Sequence, residues 1–355
     1  MPRWLSEGIS VFEEKQENAT WGQDMNPLFR EMILGKDFTP LSELSAAFLA
    51  PKSDQHLQFA YYESSLAVEF LVQRFGIEAI KRILHDLGEG TEINESIGKH
   101  TASMDKLVPE FAEFARARAE KLAPGLDFEK PKRGAPAVTV TVEKVAEPSP
   151  AQATNFYALT REAKRLLREK KWQEAKVPAE QLRKLYPGHT GADNAFELLA
   201  EAHRRLGETN EERTILSDLA SRDADSLDAY MRLMELNAAR ADWAGVATNA
   251  ERYLAVNPLV PQPYGFLAEA DETLGRRDEA IRASQTLARL DPADPAGVQF
   301  RLARLLHAGH EPAAKRHALM ALEEAPRFRD AQKLLLKITR ETSDAETNTP
   351  PPAPK

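Results

Sequence analysis

Few side chains in this sequence could do chemistry, and their spacing narrows what they could do. Near the start stands Pro2-Arg3-Trp4-Leu5-Ser6-Glu7-Gly8-Ile9-Ser10-Val11-Phe12-Glu13-Glu14, an aromatic, a leucine, a lone acid and a glycine ahead of an apolar run. That pattern predicts a buried helix with one inward carboxylate at Glu7, which would need a cation or hydrogen-bond donors to meet it. The eight histidines are His56, His85, His100, His189, His203, His307, His310 and His317. No two are four apart, so no helix offers two imidazoles from successive turns to one metal. His307 and His310 flank Ala308-Gly309 and read as a solvated turn. The sequence contains no cysteine, which excludes thiolate metal sites, thiol nucleophiles and disulfides and leaves the redox compartment open.

The elements that must position these residues read as helices throughout. The 355 residues are long enough for two domains, and 42% hydrophobic and 29% charged residues with only 17 glycines describe a soluble, helix-rich chain. A net charge of -8 argues against a nucleic-acid partner, because neutralising phosphates needs a basic surface. No tract of 18 apolar residues is present, so no membrane span is expected. There is no basic-then-apolar leader. Localisation therefore stays open between the cytoplasm and an exported or periplasmic parent.

Over residues 1–124 the punctuation is that of consecutive helices. Asn26-Pro27 and Thr39-Pro40 each place a capping side chain before a proline, and Gly35 ends the first of these helices. Ser53 caps the longest one, 54–75, whose Phe59, Leu66, Ala67, Phe70, Leu71 and Phe75 make a core face. Residues 77–87 repeat the pattern through Ile80, Ile83 and Leu84. A last helix over 103–122 has Arg118 breaking its stripe, which limits the buried face to its first half. Trp4 has no preceding element to pack on, so part of this unit is expected to be missing and Met1 to be an internal methionine.

Trp4-Leu5-Ser6-Glu7-Gly8, with Glu14 seven residues after Glu7, resembles the pattern of the glutamate zincins, the aminopeptidase N family and related peptidase MA-like domains. Phe59-Ala60-Tyr61-Tyr62-Glu63-Ser64-Ser65-Leu66-Ala67 resembles the same family's tyrosine helix, in the right order and 55 residues on from Glu7 to Tyr62. The resemblance covers about a third of the chain. It implies that Glu7 is the third zinc ligand and Glu14 an acid behind it. It also implies that Tyr62, with Tyr61 as the alternative, steadies an oxyanion, a role suited to a phenol that donates one hydrogen bond without charge. The family's upstream His-Glu-x-x-His helix does not occur here. The implied zinc therefore belongs to an intact parent domain, none is expected on this chain, and the chain is expected to be catalytically incomplete. DNA preceding Met1 is expected to encode the missing helix.

Residues 125–155 break the helical pattern and read as a flexible linker, with 138–142 alternating like a short strand and Glu147-Pro148-Ser149-Pro150 like a spacer. Beyond it, Pro187, Ala224, Pro258, Pro292 and Pro326 recur at separations of 37, 34, 34 and 34. Small or β-branched residues (Ala175, Val246, Ala280, Ala314) stand twelve before each proline, Ala179, Ala250, Ser284 and Ala318 stand eight before it, and Gly207, Ala241, Gly275 and Gly309 mark turns. This resembles the tetratricopeptide repeat, TPR. The fold expected is all-α: an incomplete gluzincin-like helical segment over 1–124, then a TPR solenoid over 156–341. The solenoid would hold about five helix pairs closed by a helix carrying Ala331, Leu334, Leu335 and Ile338, with a disordered tail over 342–355. The second repeat is the weakest, with Glu212 at a usual alanine and Ala224 in place of proline.

In such arrays the first helix of each pair lines the binding groove. Register assigns to it Thr160, Lys164, Arg168, Asn194, Glu201, Arg204, Arg205, Asp228, Glu235, Glu269 and Glu272, basic at one end and acidic further on. A protein or peptide of opposite polarity is the partner expected. Two functions follow: a zinc-peptidase parent of which this chain retains binding but not catalysis, or a non-enzymatic TPR scaffold binding a protein or peptide.

Overall fold

In the computed structural model, which describes residues 1–130 and 154–347, every extended element is an α-helix apart from one turn of 3-10 helix. The all-α expectation holds. Residues 138–142, the spacer at 147–150 and the end of the chain from 348 on lie outside the described residues. Packing divides the chain into two units, Met1–Asp223 and Ala224–Lys355.

The first unit begins with α1 (Arg3–Glu17), α2 (Pro27–Leu34), the 3-10 turn Leu41–Glu43 and α3 (Leu44–Ala47). Then come α4 (Asp54–Phe75), α5 (Ile77–Gly88), α6 (Ile93–His100) and α7 (Met104–Glu120). Two of the three caps the sequence announces form; the third, Thr39, caps no helix, because Pro40 precedes the 3-10 turn without a side-chain cap and the Thr39 N–H goes to Glu63. Asn26 accepts from the Phe29 N–H, Ser53 accepts from the His56 N–H, and Gly76 turns the chain at φ +79°. Helix α6 was not anticipated. It is only eight residues long, started by the Glu92 carboxylate accepting from the N–H groups of Asn94 and Glu95.

Helix α1 lies along α4. Trp4 and Leu5, expected to want a preceding element, are fully buried against the helices that follow them. Gly8 is set by distance. A Cβ there would stand 2.6 Å from the Ser64 carbonyl oxygen, so only glycine lets the two backbones approach this closely. The expectation that α7 buries only its first half is corrected. Ala115 and Ala119 are fully buried, while Arg118 projects beside that face to pair with Glu69 and lay its guanidinium 5.2 Å from the Phe114 ring centroid.

The same unit continues into α8 (Phe156–Arg168), α9 (Trp172–Leu185), α10 (Ala195–Leu206) and α11 (Thr209–Arg222). The two ends of the expected linker are pinned side by side. The Asp127 N–H donates to Thr154 O and the Phe156 N–H to Asp127 O, both at 2.8 Å, and the Asn155 amide donates to Asp127 Oδ2 and Glu129 O. Phe128 packs on Phe156 and Tyr186, Tyr186 stacks on His189, and the Tyr186 hydroxyl donates to Met25 O at 3.0 Å. The seven preceding helices and the first two helix pairs therefore share one unit, where the sequence placed a boundary over 125–155.

The second unit comprises α12 (Leu227–Ala238), α13 (Trp243–Val256), α14 (Pro261–Thr273) and α15 (Arg277–Arg289). It is completed by α16 (Pro295–Ala308), α17 (Ala313–Glu324) and the closing helix α18 (Arg329–Thr347). Helix α18 runs on to Thr347, so the first six residues of the expected tail are helical.

Five helix pairs, α8/α9 to α16/α17, carry the TPR-like repeat. The small residues predicted to set helix spacing (Ala175, Ala179, Val246, Ala250, Ala280, Ser284, Ala314 and Ala318) are all buried. Each hairpin turns by one device, a left-handed residue at Lys170, Gly207, Ala241, Gly275 and His310. The next N–H returns to a carbonyl five residues back: Lys171 to Leu166, Glu208 to His203, Asp242 to Asn237, Arg276 to Asp271 and Glu311 to Leu306. In the last pair the sequence marked Gly309 for this role. The left-handed residue is its neighbour, His310, and Gly309 has φ -94°.

Candidate functional site

Of the residues that carried the peptidase resemblance, Glu7 and Tyr61 come together on the outer face of α1 and α4. Trp4 and Leu5 anchor α1, Gly8 seats it on Ser64, and this brings Glu7 and Tyr61 to one guanidinium. Arg3 donates to the Tyr61 hydroxyl at 2.9 Å and pairs with Glu7 Oε1 at 3.4 Å. It also lies over the rings of Phe48 and Tyr61, which meet edge to face. Glu7 is half-buried rather than inward, and the cation that meets it comes from its own helix. Glu14 is exposed, with no ion pair of its own.

Tyr62 points elsewhere. Its ring is buried and stacks on Phe29 at 4.9 Å, and burial pushes its hydroxyl above the usual phenol range. It lines a separate cavity of about 350 Å³ with Val11, Lys15, Asp24, Glu69 and Arg118. Of the two tyrosines, Tyr61 is therefore the one that shares a face with Glu7; successive residues on a helix diverge by about 100°. As for zinc, Glu7 meets a guanidinium instead of imidazoles. Among the described residues no three His, Asp or Glu side chains converge on one point.

The predicted groove residues fall into two classes. Several are structural. Asn194 is fully buried as the cap of α10, accepting from the Glu197 N–H and donating to Thr190 O and Gly191 O. Thr160 is buried. Arg204 reaches the fully buried Glu212 carboxylate at 2.7 Å, which explains how a repeat tolerates an acid where alanine is usual. Lys164 pairs with Asp193, and Arg205 pairs with Glu201 while lying over the Trp172 ring. The basic end is thus largely neutralised within the chain, leaving Arg168 exposed.

In the second unit Asp228 and Glu269 are exposed without an ion pair. Glu235 pairs with Arg232, and Glu272 takes Arg301 and Arg304 from α16. Glu235 and Glu269 hold equivalent positions one 34-residue period apart. The face of α12 and α14 is accordingly acidic.

One group escaped the sequence reading. Glu63 on α4 is 1% exposed, with Oε1 accepting from the Thr39 N–H at 2.6 Å. Burial pushes its carboxyl up to about 8, with hydrogen bonding from both the backbone and the side chain of Thr39 acting the other way. The signal was present, since Glu63 sits four residues after Phe59 and three before Leu66 on the apolar stripe of that helix.

No family model matches the chain, and no curated protein is significantly similar to it. Solved structures align with about half of it. A MamA structure from Desulfovibrio magneticus RS-1 is 16% identical, covering 50% of this chain and 97% of its own, with a TM-score of 0.38. YrrB, described as a TPR protein with an unusual peptide-binding site, is 12% identical over 52% of this chain and 91% of its own, at 0.41. PilF of Pseudomonas aeruginosa is 14% identical over 54% and 86%, at 0.35. The repeat assignment rests on the chain's own helix pairs and their recurring turns.

Proposed function

We propose that this chain is a non-enzymatic TPR-like scaffold that binds a protein or peptide, and that the partner segment is basic. The observation that supports this is the acidic face of α12 and α14, where Asp228 and Glu269 are exposed and unpaired and Glu235 recurs one repeat from Glu269. Evenly repeated acids of one sign steer an extended cationic segment, whereas Lys164, Arg204 and Arg205 of the first two pairs are held by acids of their own chain. The test is fluorescence anisotropy of the full chain with a labelled peptide alternating lysine and alanine, beside its glutamate counterpart. The lysine peptide should bind, weaken as salt rises, remain uncleaved, and be lost when Asp228, Glu235 and Glu269 are all changed to lysine. Equal binding by that triple variant, or preference for the glutamate peptide, would overturn the reading.

A second reading, of residues 1–124 as a segment derived from a zinc peptidase, is favoured by the packing of the two resembling stretches, which sets Glu7 and Tyr61 within reach of Arg3. In an intact parent, zinc would polarise a water molecule; here Glu7 alone could contribute to holding it. An experimentally determined structure of this unit tests it by superposition on glutamate zincins: α1 and α4 overlaying their helices with Glu7 on the third-ligand position would support descent, and a different crossing of the two helices would sink it.

A further inference from the structure

Residues 36–63 of the first unit enclose a cavity of about 280 Å³ between the segment around Asp37, helix α3 and one side of α4. Glu63 lies in its wall. The carboxylate is almost wholly buried, one oxygen takes the Thr39 N–H, and the other, Oε2, has no hydrogen-bond partner. A buried carboxyl oxygen left without a partner is unusual, and nothing in the binding face of α12 and α14 uses it. Its surroundings are apolar on several sides: Phe38, Ala47, Phe59 and Ala60 all line the same cavity.

No cation of the chain serves this acid. Around the cavity, Lys52 and His56 both face Asp37, whose carboxyl Lys52 holds below its usual range, while Lys36 and Glu43 line the rim. From the helices packed on the rest of α4, Arg3 of α1 meets Tyr61 and Glu7, and Arg118 and Glu110 of α7 pair with Glu69 and Arg74. A cavity with an acid in an apolar wall, a further carboxylate at Glu43, and no ion pair from Lys36, Lys52 or His56 to Glu63 fits a small cation with an alkyl part. At this size the ligand is at or below the lower end of ordinary small-molecule sites.

We infer that this cavity is a binding site for a small primary ammonium compound, its N–H groups meeting the Glu63 carboxylate and its alkyl part lying against Phe38, Phe59 and the alanines. Binding the cation requires Glu63 to give up the proton that burial makes it hold. Affinity therefore rises with pH until that proton is gone, while the amine itself, like a lysine, stays charged.

The experiment is isothermal titration calorimetry of the full chain with n-butylammonium chloride at pH 6, 7 and 8, and with sodium butyrate at each pH. One saturable site is expected, with affinity rising by up to about tenfold per pH unit over the lower part of that range, and no site for butyrate. Glu63→Gln should abolish binding while keeping the helical circular dichroism. Ala47→Leu, which leaves Glu63 untouched, should abolish it by filling the cavity. No saturable binding by the native chain, binding unchanged in either variant, affinity flat across pH, or preference for butyrate would each overturn the assignment. Failure here leaves the peptide reading untouched, because that rests on α12 and α14.

Discussion

Replacing Gly8 with alanine sets two effects of known sign against each other. Gly8 lies within α1, and there the substitution improves helix propensity by about 0.8–1 kcal/mol. Against it, the new Cβ would stand 2.6 Å from Ser64 O, 2.8 Å from Ser64 C and 3.1 Å from Val68 Cγ2. The nearest atoms are backbone in the middle of α4 and cannot swing aside, so α1 has to lift. Lifting it loosens Trp4 and Leu5, each worth roughly 1.5–3 kcal/mol when fully buried. Overpacking costs about 1–3 kcal/mol, and a clash with backbone atoms under 3 Å belongs in its upper part, about 2–3 kcal/mol, so the steric effect wins and Gly8→Ala is expected to destabilise the first unit by roughly 1–2 kcal/mol net. Gly98→Ala is the control, because its Cβ would meet nothing within 4 Å and should stabilise by at most about 1 kcal/mol. Urea unfolding followed by circular dichroism, with hydrogen exchange on the amides of α1, measures both. A Gly8→Ala chain as stable as the native one, with unchanged exchange in α1, would refute the close-approach argument.

Two further outcomes follow from the same structure. Glu63 binds its proton more tightly folded than unfolded, so its contribution to stability is full below about pH 4.5 and is lost as pH rises towards about 8. The gap between 4.5 and about 8 amounts to roughly 4–5 kcal/mol at most, and Glu63→Gln, which cannot ionise, should remove that decline when urea midpoints are compared at pH 5, 7 and 9; a variant with the native pH slope would contradict it. Ala241→Gly and His310→Gly each relieve a left-handed residue and should raise the thermal midpoint, by about 0.5–1 kcal/mol of stability apiece, whereas Gly207→Ala should lower it.

Much of the array could be read from the chain itself. A hairpin of two helices stacks on its neighbours only if small residues recur where backbones approach, so Ala175, Ala179, Val246, Ala250, Ala280, Ala314 and Ala318 announce the repeat by spacing alone, and all are buried. The caps at Asn26 and Ser53 were equally plain, because a cap acts within three residues. The turn of the last pair was not. Gly309 is the better left-handed residue by type, yet the length of α16 moves that conformation to His310.

What the sequence determined, then, was local: helices, most of their caps, and the 34-residue period. Tertiary structure decided which partner each polar group meets. Tyr62 went into the core beside Phe29 and Tyr61 out to Arg3, because the rotation of α4 is set by its whole apolar stripe. Arg204 and Asn194, polar residues in groove register, were drawn to a buried carboxylate and a helix end. Glu63 was left beside a cavity with one oxygen unpartnered. Periodicity says which face a residue is on; only the packed neighbours say whether its charge is already answered.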